Sequence, residues 1–222
     1  MKKIESPQNE YAPEFLMIFL RFSLFWISKA FWQIKFVGLE NIPQDLSGGL
    51  IISSNHQTYI DPFWIVIPVK RKLRYMAWDK ACERPIIGRI MKFLGAFPVS
   101  LDGKGTEAYK KSIKVLRQGA TLVIFPEGTR EFSDGKLLEF KTGTARIALE
   151  ANVPILPVTL RGANRVWSQE MKYPKFFRQI EVTYHPIFEI PECPANIEPR
   201  DYANEITDKL ETIIRDNKEL MA

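Results

Sequence analysis

The sequence predicts an α/β fold: one domain with a mixed, mostly parallel sheet and helices on both faces. Short β-branched or apolar runs alternate with helical patterns of about 10–15 residues, as in β-α-β units. Neither an internal repeat nor a linker divides the 222 residues. Hydrophobic residues make up 45% and charged residues 26% of the chain, which is typical of a globular protein rather than a disordered one.

The first predicted element is an apolar helix over 13–32. Pro13 suits a first helical turn, and neither glycine nor proline interrupts the chain from there to Trp32. Three polar residues recur every seven positions and form one narrow stripe: Glu14, Arg21 and Ser28. The charge-free stretches that flank Arg21 are each too short to cross a bilayer. The wide apolar remainder is typical of a helix that lies in a membrane interface, and packing against its own domain is the alternative.

In that placement Trp26 and Trp32 would lie at headgroup depth. We therefore expect residues 1–35 to form a polar lead-in and a membrane-associated amphipathic helix, and residues 36–222 to form the α/β domain. The polar, proline-containing lead-in without a small-residue cleavage site argues against a signal peptide. The expected location is the cytoplasmic face of the cell membrane.

Seven strands are predicted after this helix. Each is an apolar, β-branched or alternating run bounded by turn residues. In chain order they are 33–39, 48–53, 70–76, 97–99, 120–125, 155–160 and 180–184.

Five further helices are predicted from apolar periodicity. Pro62 suits the start of one of them, and Gly95 and Gly119 end two others. In chain order they are 62–68, 85–94, 106–118, 142–150 and 201–218.

The segment 55–62, Asn-His-Gln-Thr-Tyr-Ile-Asp-Pro, comes directly after a predicted buried strand. Loops at the carboxyl ends of strands are where α/β proteins place reactive groups. On a continuous helix, His56 and Asp61 would point about 140° apart, so contact between them requires a turn before the helix that Pro62 begins. In that geometry Asp61 would hold one imidazole nitrogen and leave the other as a general base. A histidine packed within the loop is the ordinary alternative.

The segment 125–130, Phe-Pro-Glu-Gly-Thr-Arg, comes after another predicted buried strand. Gly128 can adopt backbone angles closed to other residues and bring its N–H to a ligand. Arg130 offers a forked donor that matches phosphate or carboxylate. Glu127 is a candidate to orient Arg130 or to hold a hydroxyl group. Lys141, beside a predicted helix start, adds a cation at a favourable anion site.

Four blocks of the chain resemble the 1-acylglycerol-3-phosphate acyltransferase family in order and spacing. They are the His-x4-Asp block 55–61 and the segments 125–130, 140–143 and 153–158. The resemblance runs from about residue 36 to residue 160. It implies transfer of a fatty acyl group from a thioester to the free hydroxyl of a lysophospholipid, a step of phospholipid biosynthesis. It implies no metal and no cofactor, with acyl-CoA or acyl carrier protein as the co-substrate and membrane lipid as a partner.

The resemblance makes His56 the base that deprotonates the acceptor hydroxyl and Asp61 the group that orients it. It gives contacts with the acceptor's glycerol and phosphate to Glu127, Gly128, Thr129 and Arg130. An alcohol is a poor nucleophile at neutral pH, so a positioned base is chemically reasonable. The sequence contains no Gly-x-Ser-x-Gly elbow, which favours direct attack on the thioester over a serine acyl-enzyme.

One block departs from the family pattern. Family members carry an arginine for the acceptor phosphate in a Gly-apolar segment, and here the matching stretch 95–102 has Leu101 at that position. Losing this cation weakens the binding of a doubly anionic headgroup. Either Lys104 or Lys141 substitutes for it, or the acceptor is a lysolipid without the phosphomonoester.

The charge balance agrees with an anionic partner. The chain carries a net charge of +5, and its basic run 70–74 is interpreted as a solvated surface, with contact to anionic lipid as the alternative. No nucleic-acid-binding motif is present, so no nucleic-acid partner is expected. Two cysteines, Cys82 and Cys193, lack the spacing of metal ligands or a disulfide framework. A non-catalytic lipid-binding protein on the same scaffold is the remaining rival, which the intact His56 and Asp61 disfavour.

Overall fold

The computed structural model describes residues 13–44, 47–78, 83, 85–99 and 105–219. Within these residues, one sheet holds the strands β1 Lys35–Val37, β2 Leu50–Ser54, β3 Leu73–Trp78, β4 Ala96–Val99, β5 Thr121–Ile124, β6 Ile155–Arg161 and β7 Glu181–Tyr184. The helices are α1 Glu14–Trp32, α2 Asp61–Val66, α3 Pro85–Phe93, α4 Thr106–Arg117, α5 Gly143–Ala151, α6 Asn164–Trp167 and α7 Pro199–Glu219. A 3-10 turn, Leu39–Asn41, comes after β1.

The strand order is β1-β7-β6-β2-β5-β3-β4. The central strand β2 pairs in parallel with both β6 and β5, so Ile52 lies beside Val123 on one side and Leu156 on the other. Among the described strands, β7 is antiparallel to β6, and its parallel neighbour β1 shares that reversed direction. The sheet is therefore mixed and mostly parallel, as predicted. Because β2 and β5 are parallel neighbours, the loops after them leave the same edge of the sheet.

Two hydrophobic cores cover the two faces of the sheet. Successive residues of a strand point to opposite faces, and accordingly Ile52 packs with Trp64 in one core while Ile51 packs with Leu116 in the other. The first core contains side chains of α1, α2 and α6, and the second contains side chains of α4, α5 and α7. Helices thus cover both faces, which confirms the predicted fold class.

Every helix and strand predicted from the sequence is present, with bounds that differ by a few residues. The short helix α6 and the 3-10 turn were not predicted, since neither is long enough to show periodicity. The interpretation of 70–74 as a solvated surface is wrong for Arg71 and Arg74, which are buried. Arg71 Nε donates to Thr121 Oγ1 at 2.7 Å, so this arginine ties the start of β5 to the chain before β3.

The polar stripe of α1 faces the domain. Ser28 is fully buried, and its Oγ accepts a hydrogen bond from Trp64 Nε1 at 3.0 Å. Trp32 is also buried, where its ring meets that of Trp64, so its predicted place at headgroup depth is wrong. The outward side of α1 carries exposed large apolar side chains: Phe15, Ile18, Phe19, Leu20, Phe22, Trp26, Ile27 and Phe31.

By length and composition, α1 is able to cross a membrane, although each charge-free stretch within it is too short to do so alone. Only 11% of its most apolar window is buried against the protein. A helix that serves only to cover a sheet buries its apolar face, whereas most of the large apolar side chains of α1 remain in solvent.

Candidate active site

The loop after β2 folds around the carboxylate of Asp61. This residue begins α2 and is fully buried, and its Oδ2 lies 2.9 Å from His56 Nδ1. The same oxygen accepts the backbone N–H groups of Gln57 and Thr58, while Oδ1 accepts the Thr58 hydroxyl at 2.6 Å. The turn that a contact between His56 and Asp61 requires is therefore present, and four donors fix the carboxylate.

The imidazole of His56 is held in one orientation. Its ring stacks on Phe125, with centroids 4.0 Å apart and an interplanar angle of 20°. The side chain remains 19% exposed, and within the described part of the chain its Nε2 has no hydrogen-bond partner. A carboxylate at Nδ1 favours the tautomer with its proton there, so the lone pair lies on Nε2. In this arrangement Nε2 is able to accept a proton.

Glu127 supports the backbone of His56. Its side chain is buried; Oε1 accepts the His56 N–H at 2.7 Å and Oε2 accepts the Leu138 N–H at 3.1 Å. The expectation that Glu127 orients Arg130 is wrong, because both carboxylate oxygens bind backbone amides instead. Burial, and then the nearby Glu131, raise the pKa of Glu127 to about 8.

Glu131, which was not among the predicted site residues, is the centre of a buried polar network. Its carboxylate accepts hydrogen bonds from Asn55 Nδ2 at 2.9 Å and Gln57 Nε2 at 2.8 Å, and it pairs with Lys218 of α7. Its own N–H donates to the His56 carbonyl at 2.6 Å. Burial raises the pKa of Glu131 while Lys218 opposes that effect. The only sequence signal for the role of Glu131 was its position, as an acidic residue directly after the 125–130 motif.

His56 therefore holds both ends of the segment 127–131. The His56 N–H donates to the Glu127 side chain at one end, and the His56 carbonyl accepts the backbone N–H of Glu131 at the other. The three residues between them, 128–130, are kept beside the histidine loop.

Gly128 forms a tight turn beneath a lysine. Its φ of +73° lies in the region that favours glycine, and a Cβ there would lie 2.7 Å from Lys141 Nζ. The ammonium of Lys141 thus lies over the turn. The backbone N–H of Lys141 donates to the Pro126 carbonyl at 3.0 Å. The expectation that the Gly128 N–H is open to a ligand is wrong, because it donates to the Phe125 carbonyl at 3.0 Å. Thr129 is exposed.

Arg130 reaches back to the histidine loop. Its guanidinium lies 3.6 Å from the ring centroid of Tyr59, three residues after His56. Its Nη1 is buried and lacks a hydrogen-bond acceptor among the residues that the structure describes. A buried donor without a partner is costly, so this atom is suited to an anionic ligand. Lys104 and Leu101 lie outside the described residues.

The second histidine has a different environment. His185 Nε2 lies 2.8 Å from Thr159 Oγ1, and burial, together with the charge of Arg161, lowers the pKa of this imidazole. Across the described ranges, no group of three or more His, Cys, Asp or Glu side chains is placed to hold a metal ion.

The chain is similar to known proteins in both sequence and structure. A chloroplastic 1-acyl-sn-glycerol-3-phosphate acyltransferase of Arabidopsis thaliana is 30% identical over 138 residues, which are 61% of this chain and 38% of that protein. The enzyme of that name from Bacillus subtilis is 31% identical over 130 residues, which are 58% of this chain and 63% of that one. A probable one from Mycoplasma pneumoniae is 28% identical over 216 residues, 91% of this chain and 78% of that one. The chain thus spans less than two thirds of the length of the first two.

The crystal structure of a 1-acyl-sn-glycerophosphate acyltransferase from Thermotoga maritima has the same fold. It superimposes with a TM-score of 0.62 at 24% identity, over 90% of this chain and 86% of that one. The family model described as Acyltransferase matches residues 33–161, which hold β2, β5 and both loops of the candidate site. The match covers more than half of the chain, and the protein belongs to this acyltransferase family.

Proposed function

We propose that this protein is an enzyme that transfers a fatty acyl group from acyl-CoA or acyl carrier protein to the free hydroxyl of 1-acylglycerol-3-phosphate. The observation that carries the proposal is the contact between His56 Nδ1 and the buried Asp61 carboxylate, with Arg130 and Lys141 on the adjoining loop. A base beside two cations is suited to an alcohol that carries a phosphate. The names of the relatives point to the same acceptor.

In the proposed reaction, His56 Nε2 takes the proton of the acceptor hydroxyl as its oxygen attacks the thioester carbonyl. Asp61 stabilises the imidazolium that forms, because its carboxylate lies at Nδ1. The tetrahedral intermediate then collapses: the carbon–sulfur bond breaks, and the imidazolium returns the proton to the thiolate that leaves. Glu127 and Glu131 hold the backbone of His56 from both sides and do not enter the proton transfer.

The acceptor phosphate is assigned to Arg130 and Lys141. Arg130 Nη1 lacks an acceptor among the described residues, and Lys141 Nζ lies directly over the Gly128 turn. Lys141 then supplies the charge that Leu101 does not, while Lys104 is the other candidate for that role. The competing acceptor is a lysolipid without the phosphomonoester.

We further infer that residues 1–35 dock the protein on the cytoplasmic face of the membrane, while residues 36–222 perform catalysis. The outward face of α1 carries exposed large apolar side chains, and burying one such side chain stabilises the bound state by about 1.5–3 kcal/mol. Docking also brings the site to its lipid acceptor. The contact of Ser28 with Trp64 ties this helix to α2, which Asp61 begins.

A thiol-release assay with acyl-CoA or acyl carrier protein and a panel of lysolipids tests the proposal. We expect 1-acylglycerol-3-phosphate to be the best acceptor and His56→Ala to abolish transfer. The matched control is His185→Gln, which changes the other histidine and retains a side chain able to bond Thr159. If His56→Ala retains full transfer activity, His56 is not the general base. If the unmodified protein transfers no acyl group to any lysolipid, the non-catalytic lipid-binding alternative is favoured. A sharp gain for 1-acylglycerol-3-phosphate in Leu101→Arg would indicate that the native acceptor lacks the phosphate.

A further inference from the structure

The segment 172–178, Lys-Tyr-Pro-Lys-Phe-Phe-Arg, connects α6 to β7 and carries large apolar side chains in solvent. Tyr173 is 69% exposed, Phe177 is 70% exposed and Phe176 is half-exposed. We call this segment the aromatic loop. Three large exposed rings within seven residues form a patch of the kind that marks a contact surface.

The aromatic loop is fixed to the carboxyl end of α1. The Phe177 N–H donates to the Phe31 carbonyl at 2.7 Å, and Trp32 Nε1 donates to the Lys175 carbonyl at 2.9 Å. The ring of Phe176 stacks on that of Trp32, with centroids 5.7 Å apart and an interplanar angle of 24°. The exposure of its rings is therefore a property of one defined conformation.

The backbone at Phe177 is strained in a way that keeps its ring outside. Its φ is +56°, in the left-handed region that a bulky residue rarely occupies. Strain of this kind persists where the surrounding structure imposes it, and such positions cluster at active sites, ligand clamps and switch regions. Burial of the ring does not offset this strain, because most of the Phe177 side chain remains in solvent.

The aromatic loop continues the apolar surface of α1. Phe31, itself exposed on α1, lies 5.3 Å from Phe176 and 6.4 Å from Phe177, centroid to centroid. From there the exposed side of α1 runs back through Ile27 and Trp26 toward its first turn. The helix and the loop thus present one surface rather than two separate patches.

Exposed cations accompany the rings: Lys172, Lys175 and Arg178. Lys172 Nζ lies 5.3 Å from the centroid of Tyr173, so the charge sits beside an aromatic ring as it does at a lipid headgroup boundary. Aromatic and basic side chains together are typical of proteins that enter the interface of an anionic membrane.

We propose that the aromatic loop is a second membrane-contacting element, which inserts Phe177 and Tyr173 into the interface while its cations bind anionic headgroups. The proposal deepens the membrane docking inferred above, because it extends the docking surface from α1 to a distant part of the sequence. A lipid surface is favoured over an acidic carrier protein because the rings continue an apolar helix face.

Partitioning onto phosphatidylcholine vesicles, with and without phosphatidylglycerol, tests the proposal on the full chain. Phe177→Asn is the main variant, since asparagine tolerates the left-handed backbone and the fold is not put at risk. We expect its vesicle partition coefficient to fall about tenfold, the loss of one buried aromatic ring. The matched control is Phe132→Asn, which removes another half-exposed phenylalanine outside the surface and should leave partitioning unchanged.

A second variant tests the charges. Replacing Lys172, Lys175 and Arg178 with glutamine should weaken binding to the vesicles that contain phosphatidylglycerol and leave binding to the neutral vesicles nearly unaltered. Equal loss on both kinds of vesicle would overturn the assigned role of the cations.

Phe19→Ser on α1 separates this proposal from the docking of the helix. If Phe19→Ser weakens partitioning and Phe177→Asn does not, the aromatic loop is no membrane contact and the docking of α1 stands. If neither variant weakens it, both proposals fail. If Phe177→Asn partitions normally but loses transfer only with acyl carrier protein as donor, the loop docks that carrier and the membrane assignment is overturned.

Discussion

Replacing Asp61 with asparagine separates charge from shape at the candidate base. The amide oxygen can occupy the Oδ2 position, where it still accepts from His56 Nδ1 and from the Gln57 and Thr58 N–H groups. The amide NH2 then replaces Oδ1 and faces the Thr58 hydroxyl, which can rotate to accept from it. The loop conformation is therefore expected to survive, and the main loss is a negative charge 2.9 Å from the imidazole.

The same contacts determine the size of that loss. A hydrogen bond to a charged group contributes about 1.5–3 kcal/mol and a neutral one about 0.5–1.5 kcal/mol, so the missing charge alone costs the imidazolium about 1–2 kcal/mol. If the amide flips and donates to Nδ1, the imidazole proton moves to Nε2 and the base is blocked. The corresponding change in a serine-protease triad lowers kcat by about 10⁴. We therefore expect kcat to fall about 5- to 30-fold if the amide oxygen stays at the Oδ2 position, and by up to about 10⁴ if the amide flips.

The assay is thiol release at saturating acceptor, followed from pH 6 to pH 9 together with the thermal unfolding midpoint. Asp208→Asn makes the same chemical change on an exposed face of α7 and should leave kcat unaltered. A kcat for Asp61→Asn close to that of the unmodified protein, with an unchanged midpoint, would refute the role given to the carboxylate.

Three further predictions concern the acceptor site, pH and the docking helix. Arg130→Lys keeps the charge but loses the forked donor, so KM for 1-acylglycerol-3-phosphate should rise about tenfold with a smaller change in kcat, as measured by initial rates. The raised pKa of Glu127, about 8 against an ordinary value of 4.5, means that the folded state binds a proton more tightly than the unfolded chain. The contribution of Glu127 to stability is then complete below about pH 4.5 and is lost as the pH rises to about 8, and Glu127→Gln should flatten this fall in a series of unfolding midpoints. Trp64→Phe removes the buried hydrogen bond to Ser28 and leaves a cavity, so the free energy of unfolding in urea titrations should fall by more than the roughly 1 kcal/mol of the hydrogen bond, and the same change in a Ser28→Ala background should cost about 1 kcal/mol less.

Each of these three predictions has a result that would contradict it. Equal KM values for Arg130→Lys and the unmodified protein would show that Arg130 does not bind the acceptor phosphate. A pH dependence of stability that Glu127→Gln leaves intact would assign the titration to another group. Additive losses for Trp64→Phe and Ser28→Ala would show that the two residues stabilise the protein independently.

The contact between His56 and Asp61 was one of two arrangements that the sequence left open, and the structure contains it. A polar loop and a proline at a helix start permit the turn that brings these two residues together, but a histidine packed within the loop fits the same pattern. The sequence was insufficient for Glu127, because its partners turned out to be backbone N–H groups, and a backbone amide carries no signal in the residue pattern.

Contacts across long separations were equally beyond prediction. Glu131 and Lys218 pair over 87 positions, and nothing in the local sequence marks Glu131 as buried or Lys218 as its partner. The heptad spacing predicted a polar stripe on α1, but only the packing of Ser28 against Trp64 determines that the stripe faces inward. The aromatic loop has no periodicity, so its exposure is visible only in three dimensions.

The central position of β2 has a consequence for how the protein loses activity on heating. All five residues of β2 are buried, and neighbours on both sides satisfy its backbone, so its amide protons can exchange with solvent only when the whole sheet opens. The loop that carries His56 begins where this strand ends. Local fraying at the edge strands β1 and β4 can therefore precede inactivation without causing it, because neither strand pairs with β2.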